Sequence, residues 1–92
     1  MKFKNKRFIT KGIADRVPLC LQLFMWMCID TLSCEKDCLQ VFVFTQTGVI
    51  HSQEEPEYIQ EYLAGGDAPI FIGKVFVIDD GSYLTMLLAE EY

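Results

Sequence analysis

The chain has 92 residues, about half of them hydrophobic, with four cysteines, one histidine and a net charge of −5. That describes one small domain, 1–92, which can bury a core but hides a limited share of its surface, so it stands as a monomer or gains from a homodimer or partner. The acidic balance disfavours direct nucleic-acid binding. The basic start lacks the long apolar run of a secretory signal, and the apolar stretch 18–29 is too short to span a bilayer, so no membrane contact and a cytoplasmic setting are expected.

In chain order, Lys2 to Lys6 alternates basic with other residues and is expected to fray. Arg7, Phe8, Ile9 and Thr10 are rich in β-formers and short, which predicts an edge strand guarded by the neighbouring lysines. Gly12 permits a turn. Val17-Pro18 opens a helix expected to reach about Leu32, because proline is well placed in a first turn. Leu19, Leu23, Trp26 and Met27 have helical spacing, but Leu21, Phe24, Met25 and Cys28 widen the apolar surface well beyond one stripe. Such a helix either lies in the concave face of a sheet, which is the favoured reading, or leaves residues such as Phe24 and Met25 outside for a partner.

A polar connector, 33–37, leads to a strand over 39–45 with Val41 and Val43 on one face and Phe42 and Phe44 on the other. Gln46-Thr47-Gly48 is a turn, and 49–52 returns as the second arm of a hairpin. Residues 53–56 break that strand. Residues 57–63 are expected to form a short helix or turn, with Tyr58, Ile59 and Tyr62 as its apolar positions. Residues 64–67 follow as a flexible loop, and Pro69 opens the last hairpin. In that hairpin Asp80-Gly81 is expected as the two-residue loop, since a type I′ turn needs two residues at positive φ. Ile78 then faces Tyr83, Val77 faces Leu84 and Val75 faces Met86. Val75, Val77, Leu84, Met86 and Leu88 make the core face, while Lys74, Phe76, Ile78, Tyr83, Thr85 and Leu87 make a partly wet one. The whole predicts an α+β domain: a mostly antiparallel sheet of about five strands with one long helix packed on one face.

Charge is unevenly spread. Residues 1–16 hold six basic side chains against Asp15, and the remainder holds Lys36 and Lys74 against twelve carboxylates. Glu54, Glu55, Glu57 and Glu61, with Asp67, form an acidic tract beside Tyr58 and Tyr62, suited to a basic protein surface or to ordinary solvation. Cys34 and Cys38, four residues apart in the connector, make half of a thiolate zinc site, and Cys28 and His51 would complete a Cys₃His set, although no second closely spaced pair enforces it. The alternative is that they are thiols without metal, with Cys20 and Cys28 acting as small hydrophobes in the helix. His51 could serve as a base beside Glu54 or Glu55, or with Cys38 as nucleophile. Against this, the chain has no nucleophile elbow and no oxyanion loop, so a half-buried histidine hydrogen-bonded within the sheet is expected, and no enzyme.

The segments VPLCLQLFMWMCIDTL, LQVF, HSQEEPEY and FIGKVFVIDDGSYLTMLLAEEY together resemble a family of domains of unknown function, number nine hundred and sixty in its series, from Gram-positive bacteria, their phages and mobile elements. The likeness runs from Arg7 to Tyr92. Many members lack cysteines in the connector, so Cys34 and Cys38 depart from the pattern. The resemblance supplies no activity and no catalytic residues. It implies a mobile-element setting, where small acidic proteins include anti-CRISPR inhibitors that occupy a basic surface of a Cas nuclease. The expected function is therefore a non-enzymatic acidic protein that binds a basic partner through Glu54, Glu55, Glu57, Tyr58, Glu61 and Tyr62, in concrete form blocking nucleic-acid loading of a Cas nuclease. The alternative is a zinc-stabilised interaction domain.

Overall fold

In a computed structural model of the chain, residues 6–66 and 70–92 are described. Lys2 and Lys4 of the basic start, and Asp67 and Pro69 of the expected loop and hairpin opening, lie outside the described residues. The elements are β1 (Lys6–Ile9), α1 (Lys11–Arg16), α2 (Leu19–Asp30), β2 (Leu39–Phe44), β3 (Gly48–Gln53), β4 (Tyr58–Leu63), β5 (Gly73–Asp79) and β6 (Tyr83–Leu88), then a 3₁₀ turn, Ala89–Glu91. The strands form one sheet in the order β1-β6-β5-β2-β3-β4. All neighbours are antiparallel except β1 and β6. No helix of the described residues is long and apolar enough to cross a membrane.

The α+β class and the edge position of β1 agree with expectation, but the sheet has six strands. The extra one is β4, where a short helix was expected. Tyr58 and Tyr62, four apart, fit a helical stripe and one face of a strand equally well. The open edge of β3 decides between them, because pairing from Gln53↔Tyr58 to Gly48↔Leu63 satisfies backbone groups that a helix there would leave bare. Gly12, expected as a turn, lies inside α1. That helix starts instead from Thr10, whose hydroxyl accepts from the Ile13 N–H. Gln22, buried on α2, donates to the carbonyls of Val17 (2.9 Å) and Ile13 (3.4 Å), tying the end of α1 to the second helix.

The final hairpin forms with a shifted register. Asp79 pairs with Leu84 and Val77 with Met86, and Asp80 N–H donates to the Tyr83 carbonyl, so the two-residue loop is Gly81-Ser82. The reason is local. Asp79 Oδ1 accepts from Gly81 N–H, and Asp80 Oδ1 accepts from the N–H groups of Ser82 and Tyr83 at 2.8–2.9 Å. Gly81 has φ +99° and no non-glycine residue among the described residues has positive φ, which is the type II′ arrangement rather than type I′. Each partner moves by two residues, so the faces survive: Val75, Val77, Leu84, Met86 and Leu88 are all buried as expected.

Those five residues pack with Phe42, Phe44 and Val49 of the sheet and with Ile13, Val17, Met25, Cys28 and Ile29 of the helical segment into one core. Both α-helices therefore cover the same side. The other side carries Phe8, Thr85, Ile78 and Leu39 in one row, then Leu87, Phe76, Val41, Ser52 and Ile59, then Lys74, Val43, Ile50 and Glu61.

Gly48, at the start of β3, sits where a Cβ would stand 2.0 Å from the Tyr62 carbonyl oxygen. A ladder backbone cannot yield as a side chain would, so Gly48→Ala is expected to cost about 2–3 kcal/mol. Urea unfolding checks this, with Gly65→Ala, where nothing lies within 4 Å, as the control that stays near wild type.

Candidate interaction surfaces

His51, the sole histidine, is fully buried on β3. Its ring stacks on Phe42 with centroids 4.3 Å apart and meets Tyr58 edge-on with centroids 5.4 Å apart. Nε2 lies 2.7 Å from Gln40 Oε1, and Gln40 Nε2 donates to Gln53 Oε1 (2.6 Å) and to the Asp37 carbonyl. With that amide orientation the histidine carries its proton on Nε2, and buried Nδ1 meets no donor among the described residues. Burial pulls its pKa from 6.5 to about 4. A neutral imidazole sealed in the core and committed to Gln40 has no route to a substrate proton, so the geometry gives it a structural place.

The chain of amides continues to the surface. Gln53 Nε2 donates to the carbonyls of Glu35 and Pro56, both at 2.8 Å, and approaches Cys34 Sγ at 3.5 Å. Asp37 accepts from Cys38 N–H through Oδ1 and from Glu55 N–H through Oδ2, and these bonds, that from Glu55 first, hold its carboxyl below the usual range. The connector and the β3–β4 turn are thereby clamped to one another. Nothing in the sequence flagged Gln40 or Gln53 for this, because an amide reads as a surface residue until its strand parity is known.

The expected metal set does not assemble. Cys28 is buried against the Tyr62 hydroxyl, with burial raising its thiol pKa. Cys34 sits beside Gln53, Cys38 is exposed at the foot of β2, and His51 Nε2 is engaged by Gln40. Among the described residues no three His, Cys, Asp or Glu side chains come together as metal ligands. The inner face of α2 carries Cys28 into the core and the strand pairing turns His51 there, while the connector thiols stay outside it.

The acidic tract divides. Glu54, Glu55 and Glu57 are exposed together on the β3–β4 turn. Tyr58 and Tyr62 instead face the helix, where Tyr62 meets Phe24 edge-on at 5.1 Å. Glu61 points to the open face of the sheet with Ile59 and Leu63, which are 65% and 83% exposed. The expected glutamate–tyrosine surface thus separates into an acidic turn, two core-side rings and one carboxylate on the far face, because a strand alternates where a helix would have gathered them. At the opposite edge three cations are used internally: Arg7 pairs with Asp30 and lies over Trp26, Lys11 pairs with Asp15, and Arg16 pairs with Glu90.

On α2 the outward residues are not Phe24 and Met25, the pair named in the less favoured reading. Met25 is fully buried and Phe24 half-buried, while Leu19, Leu23 and Met27 stand more than half exposed along one side. The favoured expectation is cover by the sheet, but one sheet face reaches only part of the circumference of a helix apolar on every side, so this stripe is left out. Beside it, Leu21, Phe24, Phe44, Val49, Tyr62 and Phe71 line an apolar groove of about 620 Å³.

Because the unfolded histidine titrates near 6.5 and the folded one near 4, the unfolded state binds the extra proton between those values. Stability conferred by the neutral form is complete above 6.5 and declines as pH falls to about 4. The shift corresponds to about 3 kcal/mol. NMR titration is expected to place the His51 midpoint near 4, and denaturation is expected to show wild type losing about that much relative to H51Q across this window. The lowered carboxyl of Asp37 acts only below it.

Comparison with known proteins agrees with this architecture. The crystal structure of a protein of unknown function from Enterococcus faecalis superposes with a TM-score of 0.77, at 23% identity, over 100% of this chain and 96% of that one. At that identity it shares the fold. No curated protein matches. The model of the Staphylococcal proteins of unknown function DUF960 matches residues 6–91, and the chain belongs to that family.

Proposed function

We propose that this chain is a non-enzymatic interaction domain that engages a basic protein partner through its β3–β4 turn. The observation that carries this is the state of Glu54, Glu55 and Glu57. All three are exposed on one turn and none is in an ion pair among the described residues. Their backbone is held by Asp37 and Gln53, so little ordering entropy is lost when a partner arrives. An unpaired acidic projection on a rigid turn speeds encounter with a basic surface and selects against acidic ones. The concrete form suggested by the mobile-element setting that the sequence resemblance implied is obstruction of the basic nucleic-acid path of a Cas nuclease, and the chemistry required of any target is a groove rich in lysine and arginine.

Affinity capture from a host lysate with wild type and with the E54K/E55K/E57K variant tests the reading. Wild type is expected to retain a basic protein that the variant loses. With that protein purified, the association rate is expected to fall about tenfold on reversal and to lose its salt dependence. Capture of the same proteins by both forms overturns the proposal.

A further inference from the structure

The side of the sheet away from the helices is apolar across its centre. Val41, Val43, Ile50, Phe76 and Ile78 remain partly accessible there, with Ile59 and Leu63 strongly so at the β4 edge. Within β5, β2, β3 and β4 this face carries two charged side chains, Lys74 and Glu61. They stand in the same cross-strand row, as the two ends of Lys74–Val43–Ile50–Glu61. Both are exposed, and neither is in an ion pair among the described residues.

That row is self-complementary. A two-fold axis running along the strands, midway between β2 and β3, turns the face onto itself. It places Lys74 over Glu61 of a second copy and Glu61 over its Lys74. Val43 then lies over Ile50, and one row along Val41 lies over Ser52 and Phe76, with Tyr92 of its own chain edge-on at 5.7 Å, lies over Ile59. The operation keeps the strands of the two sheets aligned, the common arrangement of packed sheets about 10 Å apart, a gap that a lysine and a glutamate bridge from opposite sides. It is also isologous, as a closed dimer requires. We infer that the occupant of this face is a second copy of the chain, seated sheet on sheet with two reciprocal Lys74–Glu61 ion pairs flanking an apolar centre.

Other occupants fit less well. A basic partner would meet Lys74 and a long apolar field, and an acidic one would meet Glu61; only a surface with both charges at the same separation and in reversed order matches both. Four strands at ~4.8 Å and about six residues at ~3.3 Å outline a patch roughly 20 Å on each side. With side-chain relief, two such patches bury on the order of 1,000 Å², where specific interfaces begin. The acidic turn lies at one end of this face, and reversal of its three glutamates leaves the Lys74–Glu61 row untouched, so the two readings stand or fall separately.

Analytical ultracentrifugation of the full chain, with circular dichroism as a check on folding, tests this. Wild type is expected to sediment as a dimer and V43E as a folded monomer. K74E and E61K are each expected to weaken the dimer by about tenfold, and K74E/E61K together to restore it to within about threefold of wild type, because the pair is re-formed with its signs exchanged. These two positions are exposed, so the charge exchange remains decisive if V43E does not fold. A wild type that stays monomeric at the concentrations used for NMR overturns the inference. So does a dimer that survives the single reversals or is not rescued by the double one, and a dimer lost on L23K but not on the charge reversals assigns association to α2 instead.

Discussion

The ladder between β2 and β5 holds the molecule together. It runs from Leu39↔Ile78 to Phe44↔Gly73 and joins a meander, β2-β3-β4, to a hairpin, β5-β6. Neither half could persist alone: a hairpin in water is marginal, and the meander would leave Phe42 and Phe44 without the neighbours they meet in the core. Once the ladder forms, Val75 and Val77 line up beside Phe42, a single continuous face exists, and α2 has something to cover. β1 then adds in parallel to β6 and brings α1 in behind it. The pairing joins residues 29 to 39 positions apart, so closing that loop costs chain entropy that apolar burial across the finished sheet must offset.

The covered face is not uniformly apolar. At the β3 end it holds His51, Gln40 and Gln53, all buried. Such a group is tolerated because its members satisfy one another: one amide bridges histidine to amide, and the second carries the bonding out to Glu35, Pro56 and the Asp37 backbone. The cost falls on the bare His51 Nδ1, and it leaves a histidine that must stay neutral. The return is positional. The connector after α2 and the acidic turn after β3 have few apolar residues with which to pack, and the amide chain fixes both to the sheet.

Charge is arranged along the same axis. The sheet order puts β1 at one edge and β4 at the other, so the basic and acidic stretches of the sequence end up a full sheet width apart. At the β1 edge Arg7, Lys11 and Arg16 pair with Asp30, Asp15 and Glu90. At the β4 edge the glutamates have no such partners among the described residues. An asymmetry visible as a list of charges thus becomes one self-satisfied edge and one facing outward. Surface pairs of this kind add little stability, and the significance of the arrangement lies in what the unpaired edge can meet.

The sequence by itself determined the class of fold, the long apolar helix and the strands with clean alternation. Phe42 and Phe44 against Val41 and Val43, and the five core residues of the last hairpin, were legible because a two-residue period states which side chains share a face without reference to anything distant. It also pointed to the edge position of β1 and to a half-buried, hydrogen-bonded His51 within the sheet, which the fold buries completely. What it could not state was anything set by a neighbour. Tyr58 and Tyr62 satisfy helix and strand alike until β3 presents an open edge. Gly81 took the first loop position because two aspartates captured the turn's amide groups. Cys28, Cys34, Cys38 and His51 look like ligands on a line and separate once the buried face of α2 takes Cys28 and strand parity takes His51 inward. Lys74 and Glu61, thirteen residues apart in sequence, share a row only because two other strands lie between them. Periodicity is a property of a segment and can be read from it, whereas register, parity relative to a partner strand and the company a side chain keeps belong to pairs of segments, and only the folded sheet brings those pairs into being.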